Sequence, residues 1–310
     1  MTGQDRFGFT LYHVYFNGLK RDNLESNFLL TYDGKKAPGL EYLQEHGHKG
    51  KLFMDSGAYP AYKKNSDLDI DKYIDYVCQV HQYFTGIAQL DYIPRETDGT
   101  PEQRQAYSTE ETWRRYLYMW ERVPKECRHK LIYIVHEHED IEPLLERALA
   151  WKDKDGQGIG YLGVGLSTPN KRQRMHQLAI VNRLCKKYQY SGNLHAFGVQ
   201  QLDLIQQSDY ITSSDSSSAI RDQMRGFIFV DGRQVKVSDD TKVHHKSDLT
   251  QAQNDEVQAM MRKRAEALNI DYDLAKEDAQ ERYLWGIRER DKYFNEGYKN
   301  KRKMHKGSLI

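Results

Sequence analysis

The 310-residue sequence predicts an α/β fold: a (β/α)8 TIM barrel followed by a helical C-terminal extension. Seven or eight strand-like apolar segments alternate with segments of helical periodicity, a pattern typical of parallel α/β proteins. Polar residues and one glycine follow the ends of these segments: Asp55, Asp91, His136, Gly165, His195 and Asp215. In a closed barrel all strand ends surround one mouth, whereas an open sheet spreads them along an edge. The polar residues therefore favour the barrel.

The first half of the chain contains four predicted strands, over residues 8–16, 28–32, 52–55 and 86–91. Apolar residues repeat with a 3.6-residue period between the third and fourth strands, which predicts a helix over 69–84. A polar loop is expected from Tyr92 to about Gln105. The next helix is expected to start near Ser108, where the run Ser-Thr-Glu-Glu has the form of a capping box.

The second half continues the alternation up to Asp215. Strands are predicted over 131–135, 160–166 and 194–199 and up to Asp215, and helices over 141–151, 171–188 and 202–206. A hairpin is then expected around Asp231-Gly232, and residues 249–297 are predicted to be helical with a break near Asn269-Ile270-Asp271. We therefore assign residues 1–240 to the barrel. Residues 241–310 form the helical extension, which ends in a basic segment over 299–306.

Composition excludes some classes of protein. The formal net charge is +1, so any contact with nucleic acid requires a local basic patch rather than an overall positive charge. The three cysteines are widely spaced and form no Cys-x-x-Cys pair, which is typical of a reducing cytoplasm. The N-terminal residues lack an apolar signal region, and no apolar run approaches ~18 residues. We expect a cytoplasmic protein.

Two of the strand-end acids are followed by small residues. Asp55 precedes Ser56-Gly57-Ala58, and Asp215 precedes Ser216-Ser217-Ser218. A single aspartate in such a place is more often a helix cap or turn former than a catalyst. Two that converge, however, could break a glycosidic or similar bond, one carboxylate attacking while the other moves protons. We interpret Asp55 and Asp215 as such a pair.

Metal and nucleotide-cofactor sites are not predicted. The run His136-Glu137-His138-Glu139 follows a strand, where neighbouring side chains point to opposite faces and cannot converge on one ion. Gly163-Val164-Gly165 lacks the third glycine of a dinucleotide-binding fingerprint. These two glycines serve either packing inside the barrel or the close approach of a flat ligand to the backbone.

The acidic motif carries a family resemblance. Asp55-Ser56-Gly57-Ala58-Tyr59 resembles the Asp-Ser-Gly-Gly/Ala-aromatic motif of the tRNA-guanine transglycosylases. Further motifs follow in the family's order over residues 52–218: Asp91 at a strand end, Gly163-Val164-Gly165-Leu166, His195-Ala196-Phe197-Gly198-Val199, and Asp215 before small residues. The individual motifs are weak, but the ordered set is fairly specific.

The resemblance implies a role for each matching residue. It implies that Asp215 is the nucleophile that attacks C1′ of the nucleoside, that Asp55 is the general acid/base, and that Asp91 binds the guanine-like edge of the base. The other motif residues are expected around the substrate: Ser56, Gly57, His136, Gly163, Gly165, His195 and Gly198. His136 stands where the tRNA enzymes tend to carry a Gln-Gly pair.

The absence of cysteine after Cys185 removes the structural zinc site of the tRNA enzymes. The chain looks more like the DNA 7-deazaguanine transglycosylases of phages and bacterial DNA-modification islands. That resemblance implies a cofactor-free exchange of guanine in duplex DNA for a 7-deazaguanine such as preQ0, after the target base flips out of the helix. Contacts with the nucleic acid are expected from Tyr59, Tyr62, Lys63 and Lys64.

Three other functions compete with this interpretation. The first is the same exchange on tRNA, with the same acids acting on a different polymer. The second is a non-catalytic nucleic-acid-binding barrel, although a binder would need neither Asp55 nor Asp215. The third is a glycoside hydrolase, in which Asp91 and the glycine motif would have no special use.

Overall fold

The computed structural model describes residues 9–16, 19, 21–22, 24–136, 140–166, 170–199, 201–231, 233–237 and 251–307. Eight parallel strands form a closed barrel in which neighbours pair in chain order and the eighth pairs with the first. The predicted (β/α)8 barrel is confirmed. Its strands are β1 (Thr10–Val14), β2 (Phe28–Thr31), β3 (Leu52–Asp55), β4 (Gly86–Ala88), β5 (Leu131–Val135), β6 (Tyr161–Gly165), β7 (Asn193–Phe197) and β8 (Ile211–Ser216).

Helices follow the strands from β2 onward. They are α1 (Leu40–Glu45), α2 (Ala58–Lys63), α3 (Ile70–Val80), α4 (Pro101–Arg122), α5 (Ile141–Ala150), α6 (Lys171–Lys187), α7 (Leu202–Ile205) and α8 (Ser218–Met224). The six-residue helices α1 and α2 were not predicted. Such short helices contain fewer than two turns and show too little periodicity to be recognised from apolar spacing.

Helix α4 starts seven residues earlier than the sequence predicts. Its N-cap is Thr100, whose hydroxyl accepts a hydrogen bond from the Gln103 N–H, while the Gln103 side chain accepts one from the Thr100 N–H. Pro101 occupies the first helical position, where proline needs no N–H donor. The expected start near Ser108 is therefore wrong. Ser108 lies inside the helix, and its hydroxyl donates to the carbonyl oxygen of Tyr92.

The interior of the barrel is filled by side chains rather than open as a pore. A cluster of buried residues from six strands forms its core, with Val14 and Phe197 packed against it: Tyr12, Leu29, Phe53, Ala88, Ile132, Ile134 and Tyr161. Alternate residues of a strand point to opposite faces, so one set from each strand fills the barrel and the other faces the helices. This packed core separates the mouth formed by the carboxyl ends of the strands from the opposite end of the barrel.

A second compact unit begins at Ser217 and also includes residues 16–22. It contains α8, an antiparallel pair of strands, β9 (Phe227–Val230) and β10 (Arg233–Lys236), and three helices, α9 (Gln251–Ala267), α10 (Tyr272–Glu277) and α11 (Ala279–Gly307). The predicted hairpin and the break after Ala267 are confirmed. The predicted domain boundary at residue 240 lies outside the described residues.

One further break, between α10 and α11, was not predicted. Asp278 caps the start of α11 because its carboxylate accepts a hydrogen bond from the Glu281 N–H. The backbone of the basic segment continues α11 as far as Gly307. Over the part of the chain that the structure describes, no helix combines the length and apolar character needed to cross a membrane.

Candidate active site

The carboxyl ends of the strands surround a cavity of about 610 Å³. The described residues that line it come from β3, α2, β5, β6 and β7 and from the segments that follow β3, β4 and β5: Asp55, Ser56, Tyr59, Tyr62, Asp91, Ile93, Ile134, His136, Gly165 and Phe197. The volume is in the range typical of small-ligand sites, and the lining combines aromatic and aliphatic surface with acids. Seven of the predicted site residues are therefore brought together at one mouth.

Asp91 lies three residues beyond the end of β4 and is buried. The Ser56 hydroxyl donates to Asp91 Oδ1 over 2.9 Å, and His136 Nε2 lies 3.1 Å from Asp91 Oδ2. Burial alone would raise the pKa of Asp91. The hydrogen bonds from His136 and Ser56 and the charge of His136 outweigh burial and hold that pKa below its ordinary value. Asp91 is therefore an ionised acceptor at neutral pH.

Asp55 is the last residue of β3, and its pKa is shifted in the direction opposite to that of Asp91. Burial, together with the negative charges of Asp91 and Asp215, raises the pKa of Asp55 from 3.8 to about 7. Hydrogen bonds from the Thr31 side chain and the Gly57 backbone act in the other direction but are weaker. Asp55 can therefore exchange a proton near neutral pH, which is what a general acid/base requires.

Asp215 lies near the end of β8, and its side chain is 14% exposed. The Gly198 N–H donates to Asp215 Oδ1 over 2.8 Å, and His195 Nε2 lies 3.2 Å from the same oxygen. His195 itself is completely buried on β7. Gly198 and His195 thus contact Asp215, and none of these three residues is among the described residues that line the cavity. The predicted contacts of Gly198 and His195 with a substrate stay a prediction.

Two glycines of the predicted site act through the backbone and packing. Gly57 has φ of +75°, and a Cβ at this position would lie 2.0 Å from the carbonyl oxygen of Tyr32. Only glycine fits this turn between Asp55 and α2. Gly163 is covered by Phe197, whose Cε2 would lie 2.5 Å from an added Cβ. Of the two alternatives for the glycine motif, this geometry is that of packing for Gly163, whereas Gly165 lines the cavity.

Three side chains beneath the acids were not predicted as site residues from the sequence. Phe53 stacks on the His195 ring with ring centroids 4.4 Å apart, Ser213 Oγ lies 2.9 Å from His195 Nδ1, and Thr31 bonds to Asp55. Ser213 and Phe53 each lie two residues before a catalytic candidate, Asp215 or Asp55, and therefore on the same face of its strand. This period of two is the signal that could have identified them.

Helix α2 presents aromatic and basic side chains beside the cavity. Tyr59 is 60% exposed, and its ring stacks on that of Tyr62 with centroids 6.4 Å apart. Lys63 Nζ lies 5.2 Å from the Tyr59 ring centroid and 5.8 Å from that of Tyr62, and Lys64 is exposed. Stacking surfaces next to exposed cations are suited to a base and its phosphates.

The predicted contact of Lys63 and Lys64 with nucleic acid implies that replacing both with Ala flattens the salt dependence of any DNA binding. For each phosphate that the protein no longer neutralises, the slope of log K against log salt concentration should fall by about 0.9. Fluorescence anisotropy over a salt series measures this slope. The control is Lys152→Ala with Lys154→Ala, two exposed lysines between α5 and β6, at the opposite end of the barrel. An equal slope in both double variants would contradict the assignment.

Within the described parts of the chain, no group of three or more His, Cys, Asp and Glu side chains is arranged to hold a metal ion. Glu137, His138 and Glu139 lie outside those parts. The described cysteines are free: Cys78 is exposed, and Cys127 and Cys185 are buried.

No model of a known protein family matches the sequence, and a search of curated proteins finds no significant match. The functional interpretation therefore depends on the motif resemblance and on the chemistry of the site.

Proposed function

We propose that the protein is a DNA-guanine transglycosylase that exchanges guanine in duplex DNA for a 7-deazaguanine base through a covalent sugar–aspartate intermediate. The supporting observation is the distinct environment of each of three acids at one mouth. Asp55 has its pKa raised to about 7, Asp91 has its pKa lowered, and Asp215 has hydrogen-bond donors directed at one of its oxygens. Acids whose environments differ in this way are suited to different tasks in one reaction.

In the first half-reaction the Asp215 carboxylate attacks C1′ of the flipped guanosine. The C1′–N9 bond breaks, its electron pair goes to the guanine, and the proton of Asp55 neutralises the departing base. A bond from Asp215 to C1′ replaces the glycosidic bond, so the sugar remains activated without a nucleotide cofactor.

In the second half-reaction the incoming base attacks the same carbon. It transfers its N9 proton to the Asp55 carboxylate and forms the new C1′–N9 bond, while the C1′–Asp215 bond breaks and the carboxylate is restored. Asp55 thus regains from the incoming base the proton that it gave to the departing guanine. The two displacements together retain the configuration at C1′.

Asp91 is suited to reading the base. The Watson–Crick edge of guanine presents N1–H and the 2-amino group as adjacent donors, and an ionised carboxylate offers two acceptor oxygens to them. A 7-deazaguanine has the same edge and differs at position 7. One acid can therefore bind both the leaving and the entering base, as an exchange requires.

Replacing Asp91 with Asn is expected to remove the preference for the 2-amino group. The wild type should favour guanine over hypoxanthine by on the order of 10²-fold, because hypoxanthine lacks the 2-amino donor and loses one charge-assisted hydrogen bond to the Asp91 carboxylate. Asp91→Asn should reduce that ratio below about tenfold. Competition between the two labelled bases for incorporation measures it. Asp98→Asn, which changes an exposed acid seven residues away, is the control; an unchanged ratio in Asp91→Asn would contradict the role.

The proposal is tested by incubating the protein with duplex DNA containing labelled guanine, together with preQ0, and with tRNA prepared in the same way. The expected result is release of guanine from DNA with an equal molar gain of deazaguanine in the DNA. Exchange on tRNA but not on DNA would identify tRNA, rather than DNA, as the substrate. Binding of DNA without exchange on either polymer would favour the non-catalytic barrel, and release of guanine without gain of the new base would favour a hydrolase.

A further inference from the structure

The Asp215 carboxylate ends a buried chain of hydrogen-bonding groups that runs down into the barrel. His195 Nε2 lies 3.2 Å from Asp215 Oδ1, and His195 Nδ1 lies 2.9 Å from Ser213 Oγ. Ser213 Oγ in turn lies 2.8 Å from the Tyr161 hydroxyl. Three neighbouring strands, β6, β7 and β8, contribute to this chain. All its members are buried except Asp215, whose side chain is 14% exposed near the carboxyl end of β8.

An irregularity in strand pairing creates this alignment. Leu194 on β7 pairs with Ile211 on β8, but the next residue, His195, pairs with Ser213. Thr212 is therefore an extra residue, and its hydroxyl bonds to both the N–H and the carbonyl oxygen of Leu194. Bulges are rare in parallel sheets and commonly redirect side chains beside active sites. Here the bulge places Ser213 directly opposite His195.

Aromatic rings fix the orientation of the imidazole. Phe53 stacks on the His195 ring at 4.4 Å and an interplanar angle of 29°, and Phe197 contacts it edge-on at 4.5 Å. A ring enclosed in this way cannot turn over without displacing the core of the barrel. Each ring nitrogen therefore keeps its own partner, Ser213 for Nδ1 and Asp215 for Nε2.

We propose that His195 is a positioning residue for Asp215 and that Ser213 and Tyr161 hold it in the tautomer protonated at Nε2. This inference rests on the proposed function, in which Asp215 is the nucleophile. Burial raises the pKa of Tyr161, so its phenol keeps a proton to donate to Ser213. The Ser213 hydroxyl then donates to Nδ1, and the Nε2–H donates to Asp215. The reverse direction would set the Nε2 lone pair against an ionised carboxylate.

The consequence for the reaction is a choice between the two oxygens of Asp215. Oδ1 receives the Gly198 N–H at 2.8 Å and the His195 Nε2–H, so Oδ2 is the oxygen that attacks C1′. In the intermediate Oδ1 becomes the ester carbonyl oxygen and keeps both donors. The donors thus fix the carboxylate rotamer in both half-reactions without touching the substrate.

Two substitutions of His195 distinguish the contributions of its two ring nitrogens. The Nε2 of a glutamine occupies the place of the imidazole Nε2, whereas an asparagine amide reaches only the place of Nδ1. Both variants lack the imidazole's aromatic packing. His195→Gln is expected to release guanine within about tenfold of the wild-type rate, whereas His195→Asn should lose on the order of 10²-fold, because it misplaces the carboxylate. The affinity for the free base should be unchanged in both. A rate for the Asn variant equal to or above that of the Gln variant would overturn the proposal.

Two serine substitutions on the same strand test the tautomer. Ser213→Ala should slow guanine release by about tenfold, the size of one net hydrogen bond. Its control is Ser214→Ala, since the Ser214 hydroxyl is buried and has no hydrogen-bond partner among the described residues. Nitrogen-15 NMR of His195 should show protonated Nε2 and unprotonated Nδ1 in the wild type and in Ser214→Ala, with the Nε2 form depleted in Ser213→Ala.

The exchange rates and the NMR spectra test different parts of the account. If the wild type exchanges no base on DNA or tRNA, the proposed function is wrong, and the NMR spectra still decide whether the hydrogen-bond chain has the stated direction. If the wild type exchanges bases but Ser213→Ala and Ser214→Ala have equal rates, the positioning role is wrong and the function stands. An Nδ1-protonated His195 in the wild type would overturn the tautomer assignment on its own.

Discussion

Replacing Asp215 with Asn is expected to lower the rate of guanine release by on the order of 10⁴-fold or more, as loss of a catalytic nucleophile commonly does. The amide oxygen can still accept the hydrogen bond that the Gly198 N–H donates to Asp215 Oδ1 over 2.8 Å, so the fold and the mouth should persist. Single-turnover release of labelled guanine from duplex DNA measures the effect, with the dissociation constant for the DNA measured in parallel.

The matched control is Asp209→Asn, which removes an exposed carboxylate two residues before β8 begins. It should leave both release and DNA binding within about twofold of the wild type, because an exposed side chain away from the mouth has little influence there. Release by Asp215→Asn within tenfold of the wild-type rate would show that another group attacks the sugar.

Replacing Asp55 with Asn is expected to slow guanine release by roughly 10²- to 10⁴-fold, the usual contribution of a general acid. In the proposed reaction the departing guanine needs the proton of Asp55, whose pKa is raised to about 7. The wild-type release step should therefore be fastest below pH 7 and should slow as the pH rises through about 7. This slowing should disappear in Asp55→Asn. A flat wild-type profile between pH 6 and 8 would contradict the assignment.

The same pKa shift has a consequence for stability. Folding keeps Asp55 protonated up to about pH 7, whereas the unfolded chain releases that proton near pH 3.8. Stability from this residue is therefore present at low pH and is lost as the pH rises between these values, by up to about 4 kcal/mol. Asp55→Asn should then be more stable than the wild type at pH 8, with the gain shrinking toward pH 4. Denaturant unfolding at both pH values measures this, and the exposed Asp75→Asn should show no such pH dependence.

The barrel could be predicted because its strands are buried on both faces and therefore appear as short, nearly continuous apolar runs. β5, Leu131–Val135, is such a run, and its predicted bounds agree with the structure. The ends of the helices were harder to predict. Thr100 and Ser108 each begin a plausible capping box, and only the position of Pro101 distinguishes the real start of α4.

The acids could be located because a strand end is a local property of the sequence. The period of two places Ser213 on the same strand face as Asp215, but the contacts of His195 with these two residues could not be predicted, since they depend on how β7 pairs with β8. That pairing includes an extra residue at Thr212, which shifts the register by one. A one-residue shift exchanges the faces of every following side chain, and no local apolar pattern specifies it.

The most direct test is to detect the bond between Asp215 and the sugar. Wild-type protein is mixed with duplex DNA in the absence of free deazaguanine, quenched in denaturant and analysed by intact-mass and peptide mass spectrometry. The account predicts a species with the mass of protein plus DNA minus guanine, in which the DNA is attached at Asp215. Addition of deazaguanine should convert this species into free protein and modified DNA. Guanine release from DNA with only unmodified protein throughout the time course, or an adduct on another residue, would contradict it.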